Sequence, residues 1–365
     1  MKSLLLIDTV DVTDCICEVY SPSYATQFIP SVYNRVSQGK FYFKTPGLAV
    51  RRIVQPSIIT GFSDVIQVGQ HCLFEKLGRF TANKITVFDS NFAGFNNDTN
   101  TLNIRDFPVI GGLSKAYSML GALSFHWGHF IAEYFPSFVA ALNCLDEDVV
   151  LVVPEELDSV QRSLIAAALS FYGRKNKVFF CPKRTSILVD ILYVADRSAF
   201  ISDHAEWLSI YDNIVQDFNH KEVRKIRNSF RASTSKFTLS RPKKIFLTRN
   251  SQTRKVFDIE KVEEFFRLNG YSVVEPTTLS HAARVDYFAE CEELIGIYSS
   301  AFYNLIYCQS IKSVKIFAPF CRCYDQIYQN IFRPDFFSYF VTDAPGDGIH
   351  PDLRISQNDC EQICL

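Results

Sequence analysis

Residues 244–317 constrain the fold of this chain more than any other stretch, because short apolar runs alternate there with amphipathic segments of helical length. The run 244–248 (KIFLT) reads as a buried strand, 258–269 as a helix closed by Gly270, and 271–274 as a second strand. A helix at 280–291, a strand at 294–297, a helix at 299–308 and a strand at 313–317 follow. Alternation at this spacing predicts a parallel sheet with crossover helices. Open sheets of that kind hold ligands beyond the carboxyl ends of their strands. Arg249 and the turn Tyr298-Ser299-Ser300 fall at such ends, so this part reads as a nucleotide-binding lobe.

The first half of the chain opens differently. Residues 41–110 read as short extended segments at 47–54, 58–59, 65–68, 85–88 and 102–104, separated by turn clusters such as Asn96-Asn97-Asp98. A helix is expected to open at 124–136 and run to about residue 145. A strand at 148–153, a helix at 155–171, strands at 177–180 and 187–194, and a helix at 203–218 make a second α/β unit. At 365 residues with 47% hydrophobic content, two cores are within reach. The expected division is an N-terminal lobe at 1–222 (β-rich at its start, then α/β), a basic hinge at 223–243, a nucleotide-binding lobe at 244–335 and a tail at 336–365 packing back.

Between residues 221 and 255 twelve basic residues stand against one acid, Glu222, in a chain whose net charge is only −1. A solvated linker explains such a run. The functional alternative is an anionic acceptor or a peripheral membrane contact through 221–244, since clustered Lys and Arg are drawn to anionic head groups. Nucleic acid is not expected, because the chain is not basic as a whole and carries no nucleic-acid motif. No apolar run approaches the length of a membrane-spanning helix, and the opening MKSLLLIDTVD is too short in its apolar part for an export signal. The 11 cysteines lack the paired spacing of zinc sites and read as reduced thiols in a cytoplasmic protein, peripheral at the inner face of the membrane if the basic run touches lipid.

Chemistry concentrates at a few positions. His129 and Glu133 are four residues apart, so on a helix they share a face, and a carboxylate-held histidine is a competent general base near neutral pH. A backbone-bonded histidine with a solvated glutamate is the alternative. The spacing His126-x2-His129-x3-Glu133 does not match a zinc helix, and no metal is expected. Asp146-Glu147-Asp148 offers paired acids for a cation but stands at a strand entry, where acids are commonly solvated. Arg249 and Arg254 supply fixed forks of donors that match phosphate oxygens. Ser299 and Ser300 stand where a helix N-terminus could hold an anion, with simple capping as the other reading. No glycine-rich dinucleotide loop or P-loop motif is present, which argues against a dehydrogenase or an ATPase.

Taken in order, these pieces resemble glycosyltransferase family 61. The run from His129 to Pro136 (HFIAEYFP) is similar to the family's histidine–acid–proline helix, and IFLTR at 245–249 with RKVFD at 254–258 to its two-arginine block. GYSVVEP at 270–276 and IGIYSSAFYN at 295–304 follow in the family's order, the resemblance covering about 120–330. Three departures stand out. Tyr298-Ser299 replaces a histidine–glycine pair, Asp258-Ile259 an asparagine–glutamate pair, and Ala318-Pro319 follows a strand that often ends with an acid.

The resemblance implies a two-lobed GT-B fold of two Rossmann-like lobes with a cleft between them. It also implies transfer of a sugar with inversion from a nucleotide sugar, expected to be a UDP-sugar, to a hydroxyl of a glycan or lipid-linked acceptor, in capsule or other surface polysaccharide synthesis. His129 or Glu133 is the expected base. Arg249, Arg254, Ser299, Ser300 and Asn304 are the expected donor-binding residues, and no metal or other cofactor is expected. The rival from another class is a non-catalytic nucleotide- or glycan-binding subunit of a polysaccharide assembly complex, to which the departures at Tyr298-Ser299 and Ile259 point.

Overall fold

The computed structural model describes residues 101–121, 124–195, 241–249, 255–319, 334–344 and 351–364, together with separate strand and turn segments before residue 101. The helix expected at 203–218, the basic run from Lys221 to Ser240, and Arg254 lie outside the described residues. The chain divides into two compact units: Met1–Ser23 with Lys44–Ile214, and Tyr24–Phe43 with Val215–Leu365. Both are mixed α/β units with parallel strands. Among the described residues no helix is long and apolar enough to cross a membrane.

In the first unit, four mutually parallel strands lie in the order Ser186–Ala195, Val109–Ser118, Val150–Pro154, Val178–Cys181. Further strands extend this sheet, beginning with Leu48–Thr60, which runs antiparallel beside Ser186–Ala195. The extended segments expected at 47–54 and 58–59 are therefore one strand. Its ladder slips between Val189 and Ile191, where the opposite strand moves from Ser57 to Val54, so Gln55 and Pro56 sit in a bulge. That is where a residue without an N–H does least harm to a ladder. Val109–Ser118 was not anticipated by the pattern: Gly111-Gly112 interrupts it, and residues 109–112 are exposed. The apolar core beneath the sheet gathers Ile53, Ala116, Leu120, Val152, Val189 and Leu192. The helix expected at 155–171 starts later, at Ser159, because Asp158 and Gln161 exchange reciprocal 2.8 Å hydrogen bonds as a capping box.

The second unit is an all-parallel sheet in the order Ser272–Val274, Lys244–Leu247, Glu293–Ile297, Ser313–Ala318, Phe336–Val341, Ser31–Tyr33. Helix Ile259–Leu268 covers one face with Val262 and Phe266, one turn apart and both buried; Phe266 stacks on Phe246 with centroids 4.1 Å apart. It ends in a Schellman motif. The Tyr271 N–H reaches the Phe266 carbonyl, the Gly270 N–H reaches that of Arg267, and Gly270 takes the left-handed φ of +81° that glycine adopts without strain. The tail is part of this fold: Phe336–Val341 is a sheet strand, and helix Gln357–Cys364 adds Cys360 and Ile363 to the core around Phe266. The helix expected at 299–308 is instead a 3₁₀ helix, Ser300–Tyr307.

Candidate functional site

In the first unit, strand order reverses between Val109–Ser118 and Ser186–Ala195, and the helical stretch 127–141 follows the first of these at its carboxyl end. In open parallel sheets this reversal is where ligands are met. The stretch is not a regular helix. An α-turn at Trp127–His129 runs into a π-turn at Phe130–Tyr134 and returns to α-helix at Phe135–Ala141. Pro136 explains the widening, since its ring crowds the carbonyl four residues earlier and it has no N–H to give. π-turns inside helices recur at functional sites.

His129 and Glu133 meet on this stretch: His129 Nδ1 and Glu133 Oε1 are 2.8 Å apart. Their surroundings differ. The Glu133 side chain is 1% exposed and that of His129 13%. Phe130, Phe135 and Phe138 on the same stretch are fully buried, with Phe130 stacked on Phe135 at 5.4 Å. A buried carboxylate is costly unless a donor satisfies it. With Glu133 ionised, the imidazole proton must lie on Nδ1, which leaves the lone pair on Nε2. In that state the ring, 13% exposed as a whole, can accept a proton at Nε2.

In the second unit, the reversal falls between Lys244–Leu247 and Glu293–Ile297, whose carboxyl ends lead into Arg249 and into Tyr298-Ser299-Ser300. The register pairs Leu247 with Gly296, so these two ends lie side by side. The approach is so close that a Cβ on Gly296 would stand 2.6 Å from the Leu247 Cβ and 2.8 Å from its carbonyl oxygen. Only glycine fits there. Arg249 is half-buried, Ser299 half-buried and Ser300 exposed. The Ser299 side chain makes no cap hydrogen bond, and the following 3₁₀ helix has poorer hydrogen-bond alignment than the α-helix expected. The capped α-helix end expected at Ser299 and Ser300 is therefore not formed. Asn304 is 1% exposed; its Nδ2 donates to the Ala301 carbonyl at 2.8 Å, and its Oδ1 has no hydrogen-bond partner among the described residues.

Two of the departures from the family pattern are conformationally mild. Ser299 has φ −168° and ψ 165°, extended backbone that does not need a glycine. Asp258 has φ +55°, a left-handed conformation that asparagine and aspartate tolerate better than other side chains. Ile259 packs on the apolar core of the second unit. Other candidates are spoken for. Asp146 and Asp148 are exposed and pair with Lys115 at 3.7 and 2.9 Å. At the end of the basic run, Arg241 bonds Asp286 at 2.7 Å, Lys243 pairs with Glu292 and Lys244 with Glu293. Among the described residues no group of three or more His, Cys, Asp or Glu is placed to hold a metal ion.

The pattern reading did not find Thr248 and Glu263. The Thr248 hydroxyl donates to Glu263 Oε1 at 2.6 Å, and Arg267 donates to the other oxygen at the same distance. Nothing in the local pattern marks them, because the contact joins a strand end to the helix that follows it.

No curated protein matches the chain. A family model described as glycosyltransferase 61 matches residues 127–314, just over half of the 365, beginning at the histidine helix and ending inside strand Ser313–Ala318. The match thus spans both polar centres, and the chain belongs to glycosyltransferase family 61.

Proposed function

We propose that this family member is an inverting, metal-independent transferase of GT-B type that moves a sugar from a nucleotide sugar, a UDP-sugar in the first instance, to a hydroxyl of a glycan acceptor in surface-polysaccharide synthesis. The observation that carries the chemical part is the His129–Glu133 pair, with the carboxylate sealed and the imidazole side chain partly exposed. Of the two expected bases, burial favours His129; Glu133 orients it. His129 Nε2 takes the acceptor hydroxyl proton as that oxygen attacks the anomeric carbon. The bond from the anomeric carbon to the β-phosphate oxygen breaks, and the nucleoside diphosphate leaves with the electron pair. Arg249 and Arg254, with backbone N–H groups at Ser299 and Ser300, balance the charge that grows on it, and Asn304 braces the turn behind them. Preorganised donors of this kind contribute about 2.7–4 kcal/mol each when one is removed.

The test is nucleotide release and sugar transfer by the purified protein with UDP-, GDP- and CMP-sugars in the presence of EDTA. His129→Ala and Arg254→Ala run alongside. Release that survives the chelator and needs both residues is the expected result. Donors that bind but are not consumed across a broad acceptor panel would move the assignment to a non-catalytic nucleotide-binding subunit.

A further inference from the structure

The start of the His129 stretch is fastened by one side chain from the next crossover. Gln161 lies in the first turn of helix Ser159–Phe171 and is 1% exposed. Its Oε1 accepts from the Asp158 N–H at 2.8 Å and closes the capping box, while its Nε2 donates to the Phe125 carbonyl at 2.9 Å. The amide can face only one way, since one end meets an N–H and the other a carbonyl. That carbonyl belongs to the peptide leading into His126, whose own carbonyl accepts from the Phe130 N–H at 2.8 Å. His126 makes no side-chain cap hydrogen bond for the stretch. The turn that presents Gln161 is itself braced: Arg162 donates to the carbonyls of Leu157 at 2.8 Å and Glu155 at 2.6 Å. From the next strand end, Lys183 places its ammonium 4.7 Å from the Phe125 ring centroid and 3.0 Å from Glu156 Oε1. Segments after the carboxyl ends of strands Val150–Pro154 and Val178–Cys181 thus both hold Phe125, which itself follows the carboxyl end of Val109–Ser118.

We propose that Gln161 is a positioning residue for the reaction: it fixes the peptide from which the stretch carrying His129 and Glu133 starts. The inference rests on the reading of His129 as the base. A capping box is served as well by glutamate as by glutamine, because either offers the oxygen that the N-cap N–H needs. Only glutamine also carries a donor for the Phe125 carbonyl. Without that donor the peptide between Phe125 and His126 can turn, and the π-turn that carries Glu133 loses its fixed starting point. A reacting group displaced by about 1 Å can cost about 10²-fold in rate. Donor binding, assigned above to the second unit, does not use this contact, so the loss falls on kcat and spares the donor KM.

The experiment measures kcat and donor KM with whichever of the UDP-, GDP- and CMP-sugars is consumed fastest, together with denaturant midpoints and amide exchange of peptides covering 124–134. The proteins are the wild type, Gln161→Met, Gln161→Glu, Asp158→Ala and His129→Ala. Gln161→Met, similar in volume but without the amide, is expected to lower kcat about 10- to 10²-fold, with donor KM little changed and faster exchange at 124–134. Asp158→Ala removes the other half of the capping box and leaves the Gln161 amide in place; it is expected to lose stability and keep its kcat. Gln161→Glu keeps the cap oxygen but donates to Phe125 only while protonated, so its activity relative to the wild type is expected to fall as pH rises. That profile decides the matter if Gln161→Met does not fold. Wild-type kcat in Gln161→Met, or an equal fall in Asp158→Ala, would show that Gln161 caps a helix and does nothing more. A Gln161→Glu protein that matches the wild type at alkaline pH would show that no donor is needed there. Each of these results overturns the proposal. Unchanged kcat in His129→Ala, or a wild type that turns over no nucleotide sugar, would overturn the base reading itself and the proposal with it. A fully active Gln161→Met beside an inactive His129→Ala would overturn the proposal alone.

Discussion

The two polar centres of this chain are built in opposite ways. In the first unit, His129 and Glu133 lie one turn apart on one helical stretch, and their relation is set by local geometry and by apolar packing around the carboxylate. In the second, Arg249 and Ser299 stand fifty residues apart in sequence and are brought level by the pairing of Leu247 with Gly296. One centre depends on burial, the other on register. Substitutions in the first should couple activity to stability, whereas those in the second should separate the two unless they touch the strand crossing.

The largest effect is expected at the helix. If His129 is the base proposed above, His129→Ala should lower kcat by about 10²- to 10⁴-fold, and it should also cost roughly 1–3 kcal/mol of stability, because the buried Glu133 carboxylate loses this donor. Glu133→Ala should lower activity by releasing the ring, and cost less stability than His129→Ala, because the imidazole N–H it leaves belongs to a partly exposed side chain. Denaturant midpoints beside initial rates check both. Equal stability loss for the two variants would break the contrast between sealed acid and open base.

At the other centre, Arg249→Ala should lower turnover by about 10²- to 10³-fold while stability moves by no more than about 0.5 kcal/mol. If its stability fell as far as that of His129→Ala, Arg249 would be a structural residue. Gly296→Ala sharpens the comparison from the backbone side. Its Cβ meets Leu247 at 2.6 Å, so the strands must part at the point that sets Arg249 beside Ser299. A loss of about 1–3 kcal/mol is expected, together with weaker donor binding.

The smallest effect lies in the shared core of helices Ile259–Leu268 and Gln357–Cys364. Burial pushes the Cys360 thiol up to about 12 from an ordinary 9.0. The folded state therefore keeps this proton after the unfolded chain has lost it. The contribution is complete below about pH 9 and fades as pH rises towards 12. Tyr271 is pushed up as well, by burial and then by Glu293, so it acts with the same sign. Cys360→Ala should flatten, without abolishing, the fall in stability across that window, as read from urea midpoints at several alkaline pH values. An unaltered slope would remove Cys360 from the account.

Much of the second unit was legible because its signals are local. Gly270 closes a helix by a backbone conformation that it adopts without strain, and Val262 and Phe266 mark a buried face by spacing alone. Val109–Ser118 escaped notice because Gly111-Gly112 breaks its pattern and exposure removes the alternation that marks a strand. The residues 299–308 carry helical spacing, yet wind as a 3₁₀ helix, a choice made by packing. Thr248 and Glu263 carry no pattern, since each bonds a partner on another element.

From sequence alone came the α/β class, the placing of most strands and helices of the second unit, the His129–Glu133 pairing and the family. These follow from periodicity, turn chemistry and four-residue spacing, which act within one stretch of chain. Tertiary structure alone decided the strand order that sets Arg249 beside Tyr298-Ser299-Ser300. It also decided which member of the histidine–glutamate pair is sealed, and the docking of 351–364 against 255–268. Those depend on which distant segments share a ladder or a core, and pairing energy between distant segments leaves no periodic mark on either one.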